Sequence, residues 1–170
     1  MKLATHIITG FLAAFDTYLF LVPRPGPEDL LAASLLGLLG SAVNAVIDFL
    51  GHGRRGWIVY RSWTHSVVGV LVATLPAVLA ARLALRLLGL WVPWSLLTAA
   101  LLASALTHLL LDAFTEKGLP LLWPFSRRRY ALAHLDYDNL SANLLAIIAY
   151  TLPLIKPLGQ VIAWLGLYAR

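Results

Sequence analysis

Ser104-Ala-Leu-Thr-His-Leu-Leu-Leu-Asp-Ala-Phe-Thr-Glu-Lys-Gly118 closes a long apolar run that begins at Trp94. His108 and Asp112 stand four residues apart in it. On a helix that spacing sets both side chains on one face, one turn apart. An imidazole nitrogen and a carboxylate so placed can grip one divalent metal. The competing reading is a helix end with two polar residues at a membrane surface. What decides between them is the rest of the chain.

The chain has 170 residues, 60% of them hydrophobic and only 12% charged. Soluble domains average about 25% charged residues. With a mean hydropathy of +0.80, the composition excludes an ordinary soluble domain. It predicts an integral membrane protein with one transmembrane helical domain over 1–170. No cysteine is present, so a metal site here must use His, Asp, Glu or Asn. Lys2 is the only early cation, and His6 and Asp16 interrupt the first apolar run. The N-terminus therefore reads as a retained membrane helix, not a signal peptide.

Five apolar segments, at 4–22, 28–50, 65–90, 92–114 and 140–168, reach or exceed the roughly 20 residues that cross a bilayer. The expected fold is all-α: a polytopic bundle with about five membrane-embedded segments. Pro23-Arg-Pro-Gly-Pro27 makes a rigid turn after the first. Pro153 and Pro157 interrupt the last, which reads equally as one broken helix or two half-crossings. Arg82 and Arg86, near the far end of the third, are expected to snorkel outward.

Two long polar loops, 51–64 and 115–139, contain Arg54, Arg55, Arg61, Lys117, Arg127, Arg128 and Arg129. Two helices separate these loops, so they share one side of the membrane. Lys2 falls on that side too. The positive-inside rule then places the N-terminus and both loops in the cytoplasm. His6, His52, His65, His108 and His134 all fall on this side, as do Asp48, Asp112, Glu116, Asp136 and Asp138. Ionisable residues at the ends of membrane helices are functional candidates, because each costs a few kcal/mol without a partner.

Asp48 and His52 repeat the four-residue spacing of His108 and Asp112, and Asn44 lies one turn deeper on the Asp48 face. His52 could equally be a solvated loop residue, and His6 a plain interfacial one. Thr precedes His at Thr5-His6, Thr64-His65 and Thr107-His108. Such a threonine can cap a helix or hydrogen-bond a ligand from behind. Asp16 is ten residues past His6, about 15 Å along a helix. That is too deep for the same site, and Asp16 reads as a buried packing residue.

These residues resemble the YdjM-like family of membrane-bound metal-dependent hydrolases, its archaeal branch most of all. The likeness is carried by Thr5-His6, Ile47-Asp48, Arg61-Ser-Trp-Thr-His-Ser66, and Thr107-His-Leu-Leu-Leu-Asp112 followed by Thr115, Gly118 and Pro124-Phe-Ser126. Where the family commonly has Pro-Asp-x-Asp-His, this chain keeps only Asp48, with Asn44 and His52 nearby. The family is in turn distantly similar to zinc-dependent phospholipase C and P1-type nucleases. That resemblance implies Asp48, His65, His108 and Asp112 around one metal, with Asp112 bridging to a second held also by His6. His52 and His134 are secondary candidates.

Imidazoles and carboxylates without thiolate suit one or two ions of Zn²⁺, or else Mn²⁺ or Fe²⁺. Paired ions of this kind clamp the attacking and leaving oxygens of a phosphoester. Asp48 and Asp112 are the expected catalytic carboxylates; Arg61, Arg127 and Asn44 are expected to hold substrate. The arginines serve equally to set topology and bind anionic lipid. The expected activity is metal-dependent hydrolysis of lipid phosphoesters at the cytoplasmic membrane boundary, with membrane lipids and not nucleic acid as partners. Two alternatives stand beside it. One is a structural metal site that fixes helix ends. The other is a metal or proton transporter, which the apolar far halves of helices three and four disfavour.

The topology is testable because the chain has no native cysteine. A single cysteine at Gly53 should label from the cytoplasm and one at Gly26 from outside. The reverse pattern inverts the protein.

Overall fold

Long apolar runs bounded by Pro, Gly and polar caps form the helices, as hydropathy requires. The structure, a computed structural model, describes residues 1–55, 58–61 and 63–168. Side chains in 52–62 and at 161, 164, 165, 167 and 168 lie outside that description. Helices run over α1 (Leu3–Leu21), α2 (Pro27–Gly51), α3 (Val67–Leu87), α4 (Trp94–Ala113), α5 (Leu140–Thr151) and α6 (Ile155–Tyr168). Between α2 and α3, strands β1 (His52–Arg55) and β2 (Ile58–Arg61) pair as a short antiparallel ribbon.

The architecture is all-α, and five helical stretches are long and apolar enough to span a membrane. The fifth, Leu140–Gln160, covers α5 and the start of α6. A 3₁₀ turn at Leu152–Leu154 joins these two helices, with Pro153 inside it. Proline lacks an N–H and obstructs the preceding turn, so the regular ladder changes here. Exposed Leu31, Leu38, Leu75, Leu79 and Leu83 line the outside of the bundle, an apolar surface that only lipid tolerates.

Caps set several boundaries. The Ser66 hydroxyl accepts from Gly69 N at 3.0 Å and starts α3. The Asn139 side chain accepts from Ala142 N at 2.9 Å and starts α5. At the start of α2, Asp29 accepts from Gly26 N at 2.9 Å and from the Tyr18 hydroxyl at 2.9 Å. That carboxylate ties α1 to α2 at the end of the bundle away from the histidines.

Arg82 departs from expectation. Instead of reaching outward it is buried. Its guanidinium donates to the Val92 carbonyl and lies over the rings of Trp91 and Trp94, at 5.8 and 5.1 Å. The α3–α4 turn thus supplies a carbonyl and two aromatic faces. Those partners replace water and remove the need to snorkel.

The apolar core has two parts. One, around Ala14, Leu36, Leu85 and Leu101, fills the far half of the bundle. The other, around Val43, Ile47, Val70, Ala105 and Leu109, lies under the histidine end and includes Leu119 from the long loop. That loop is held down by paired backbone bonds between Leu119 and Tyr130 and by Val67 N donating to the Leu121 carbonyl at 3.1 Å.

Helices α1, α2 and α4 meet through small residues. A Cβ on Gly10 would collide with Asn44, and one on Gly40 with Ser104. Membrane helices gain contact area this way, because lipid provides no hydrophobic drive for their association. Gly40→Leu should therefore push α4 away from α2 and destabilise the fold by about 1–3 kcal/mol, the usual cost of overpacking. Thermal unfolding in detergent checks this. An unchanged midpoint would show that the helices are not in contact there.

Candidate metal centre

Four chain segments deliver five side chains to one end of the bundle. The first turn of α1 carries His6, and the last turn of α2 carries Asp48. A 3₁₀ turn at Trp63–His65 presents His65. The last two turns of α4 present His108 and Asp112. All five are buried, with His65, His108 and Asp112 fully enclosed.

The two oxygens of Asp112 point in different directions. Oδ1 lies 3.0 Å from His6 Nε2. Oδ2 lies 3.4 Å from His65 Nε2 and 3.8 Å from His108 Nε2. Opposite, Asp48 Oδ1 is 3.5 Å from His65 Nε2 and 3.6 Å from His108 Nε2. The imidazoles themselves are layered: His6 stacks on His108 with centroids 4.1 Å apart, and His65 tilts against His108 at 5.1 Å. In His6, Asp48, His108 and Asp112, one potential ligand atom each lies within 4.8 Å of all the others.

These residues fit a divalent cation. Among the described residues, neither ring nitrogen of His108 has a hydrogen-bond partner, and His6 Nδ1 has none. Buried polar atoms are nearly always satisfied, and an orphaned pair on one imidazole calls for an explanation. The His108 Nε2 atom faces two carboxylates at distances too long for hydrogen bonds but suited to a shared ion between them. The donor set holds only nitrogen and oxygen. The α-ammonium of Met1 already sits 2.7 Å from Asp112 Oδ1, which shows that this oxygen faces a position where positive charge is accommodated.

Hydrogen bonds behind the cluster orient it. The Thr64 hydroxyl donates to the Ile47 carbonyl at 3.1 Å and sits 3.2 Å from His65 Nδ1. A hydroxyl has one proton, so with that proton on Ile47 it accepts from Nδ1–H. This leaves Nε2 as the lone-pair nitrogen facing the carboxylates, the arrangement metal-binding histidines use. Gly51 makes room for the pair: a Cβ there would strike both the His65 ring and the Thr64 hydroxyl. Thr5 instead donates to Asn143 Oδ1 at 2.5 Å, and Thr107 donates to the Tyr150 hydroxyl at 3.1 Å. The three Thr-His pairs thus have three different jobs.

Asn44 is fully buried and donates to the His6 carbonyl at 2.9 Å. That bond clamps α1 to α2. His134 is exposed on the long loop, apart from the converging atoms, and Arg127 is exposed on the same loop. The side chains of His52 and Arg61 lie outside the described residues. A residue with no part in the sequence-based ligand set proves central to the scaffold. Asn143 accepts from Lys2 N at 3.2 Å as well as from Thr5, and donates to the carbonyls of Tyr137 and Asn139. It fastens α5 to the start of α1. An asparagine one turn inside an apolar helix was the available signal.

A helical membrane bundle with a buried cluster of histidine and aspartate at one end is a multi-pass membrane protein with a possible metal-binding group. The family model of the YdjM inner membrane protein matches residues 1–169, so the chain belongs to that family. No curated protein and no solved structure matches it.

Asp112→Asn keeps the side-chain shape and removes the charge that both sets of imidazoles face. Purified after zinc supplementation, it should lose at least one metal per chain by elemental analysis while α-helical circular dichroism is kept. Asp16→Asn, far from the cluster, should retain the wild-type metal content. A full metal complement in Asp112→Asn would remove this residue from the site.

Proposed function

We propose that this protein is a membrane-embedded, metal-dependent hydrolase that cleaves lipid phosphoesters at the cytoplasmic boundary of the membrane. The observation that carries this reading is the divided carboxylate of Asp112, with Oδ1 on His6 and Oδ2 on His65 and His108. Such a carboxylate would serve two cations, one held by His6 with Asp112 and the other by Asp48, His65, His108 and Asp112. Bound divalent ions, zinc first among them, would polarise a phosphoryl oxygen and acidify a water.

The chain's own residues support the rest. Asp48 lines an open cavity of about 450 Å³, with Met1, Lys2, Leu3, Ala45, Phe49 and Tyr137. A catalytic site keeps an open position, and a structural one is closed; this cavity favours the first. Leu3 and Phe49 are exposed apolar groups at its rim, fit for the hydrocarbon part of a lipid. Lys2 adds a cation for an anionic headgroup. Asp48, on the cavity side, is placed to orient a water and accept its proton. Arg61 and Arg127 are assigned to phosphate oxygens on the strength of their charge and loop position. The far half of the bundle is filled by the apolar cluster around Leu36, Leu85 and Leu101, which disfavours a transport path.

The test is release of phosphorylated headgroups from a panel of phospholipids by zinc-loaded protein in nanodiscs. Turnover is expected, and Asp48→Asn should reduce it by roughly a hundredfold, the upper end of what losing a partner at a metal site costs. Stoichiometric metal without turnover on any lipid would favour a structural metal site instead.

A further inference from the structure

Asp16 is buried in α1, two to three turns from the His–Asp cluster, with 8% of its surface exposed. Neither of its carboxyl oxygens has a hydrogen-bond partner among the described residues. An unpaired carboxyl inside a membrane helix is expensive, and such residues face cavities or pathways. Asp16 does so: it lines a cavity of about 310 Å³ between α1, α4 and α5, together with Ala13, Thr17, Ala103, Thr107 and Tyr150. This space is separate from the cavity at Asp48.

Across the cavity stands a hydroxyl pair. The Thr107 hydroxyl donates to the Tyr150 oxygen at 3.1 Å. The phenol O–H of Tyr150 therefore remains available to donate elsewhere. The cavity thus presents one strong acceptor and one free donor inside otherwise apolar walls. At its far end Phe20, 73% exposed, marks the side open to lipid.

From this geometry we infer that the cavity is a second binding site, which takes the hydroxyl of a long-chain lipid alcohol. A hydroxyl both donates and accepts, so it bonds Asp16 and Tyr150 together. An ammonium can only donate, so it offers the Tyr150 O–H no acceptor. A plain acyl chain leaves both polar groups unsatisfied. The hydrocarbon tail lies along Ala13 and Ala103 and leaves beside Phe20. Occupancy is independent of any hydrolysis at the metal centre.

The experiment uses full-length protein in nanodiscs and a long-chain alcohol with a photoactivatable diazirine on its tail. Crosslinked peptides are mapped by mass spectrometry. Competitors are 1-dodecanol, dioctanoylglycerol, dodecyl methyl ether and dodecylamine. Crosslinks are expected on α1 at 13–21 and on α4 at 103–107. Either alcohol should compete at a concentration roughly tenfold below the ether, which still accepts from Tyr150 but cannot donate to the Asp16 carboxyl; one such hydrogen bond supplies that discrimination. The two alcohols distinguish a simple fatty alcohol from a diacylglycerol as source. Asp16→Leu should abolish the preference over the ether. Tyr150→Phe, which keeps the shape and removes the donor, should weaken competition by either alcohol severalfold and serves if Asp16→Leu fails to fold. Equal competition by alcohol and ether overturns the inference. So does equal crosslinking to the lipid-facing Leu75 and Leu79, or stronger competition by dodecylamine.

Discussion

The Asp112 carboxylate is the constraint around which one end of this bundle is built. It is completely enclosed, yet it meets His6 through one oxygen and His65 through the other. Those two imidazoles come from segments some sixty residues apart in the chain. For them to reach one carboxylate, the start of α1, the 3₁₀ turn before α3 and the end of α4 must lie at the same depth. The up-and-down order of the helices satisfies this, and the small-residue contacts at Gly10, Gly40 and Ser104 hold the helix axes close enough.

Around that point the polar groups divide their work by depth. Nearest the carboxylates are the imidazoles. Behind them, Thr64 fixes the His65 ring, while Asn44 and Asn143 bind backbone and tie α1 to α2 and to α5. Each of these side chains makes at least one hydrogen bond to the protein, and among the described residues the Asn44 Oδ1 atom has no partner. Such a support shell restricts ring orientation, which a metal centre needs as much as the ligands themselves. The opposite end of the bundle solves a different problem. There Asp29 and Arg82 each bind a neighbouring element, and both charges are kept local to turns.

Much of the fold was legible because membrane helices announce themselves by length and hydropathy. The boundaries of α2 and α4 fall within two residues of those read from the sequence. The pairing of His108 with Asp112 was legible because helical periodicity alone puts them on one face. Three features were not. The role of Asn44 depends on where the His6 carbonyl of another helix falls, and local spacing carries no such information. The burial of Arg82 depends on a turn that brings Trp91, Val92 and Trp94 back over it. The cavity beside Asp16 depends on how α5 leans against α1 and α4, so a residue read as packing proves to face open space. In each case the deciding partner is distant in sequence.

The central claim is that these imidazoles and carboxylates hold metal. It is tested most directly by anomalous diffraction at the zinc edge from crystals grown with zinc. Anomalous density is expected between the Asp112 carboxylate and the rings of His6, His65 and His108. Density confined to exposed sites such as His134, with the Met1 ammonium still against Asp112, would contradict it.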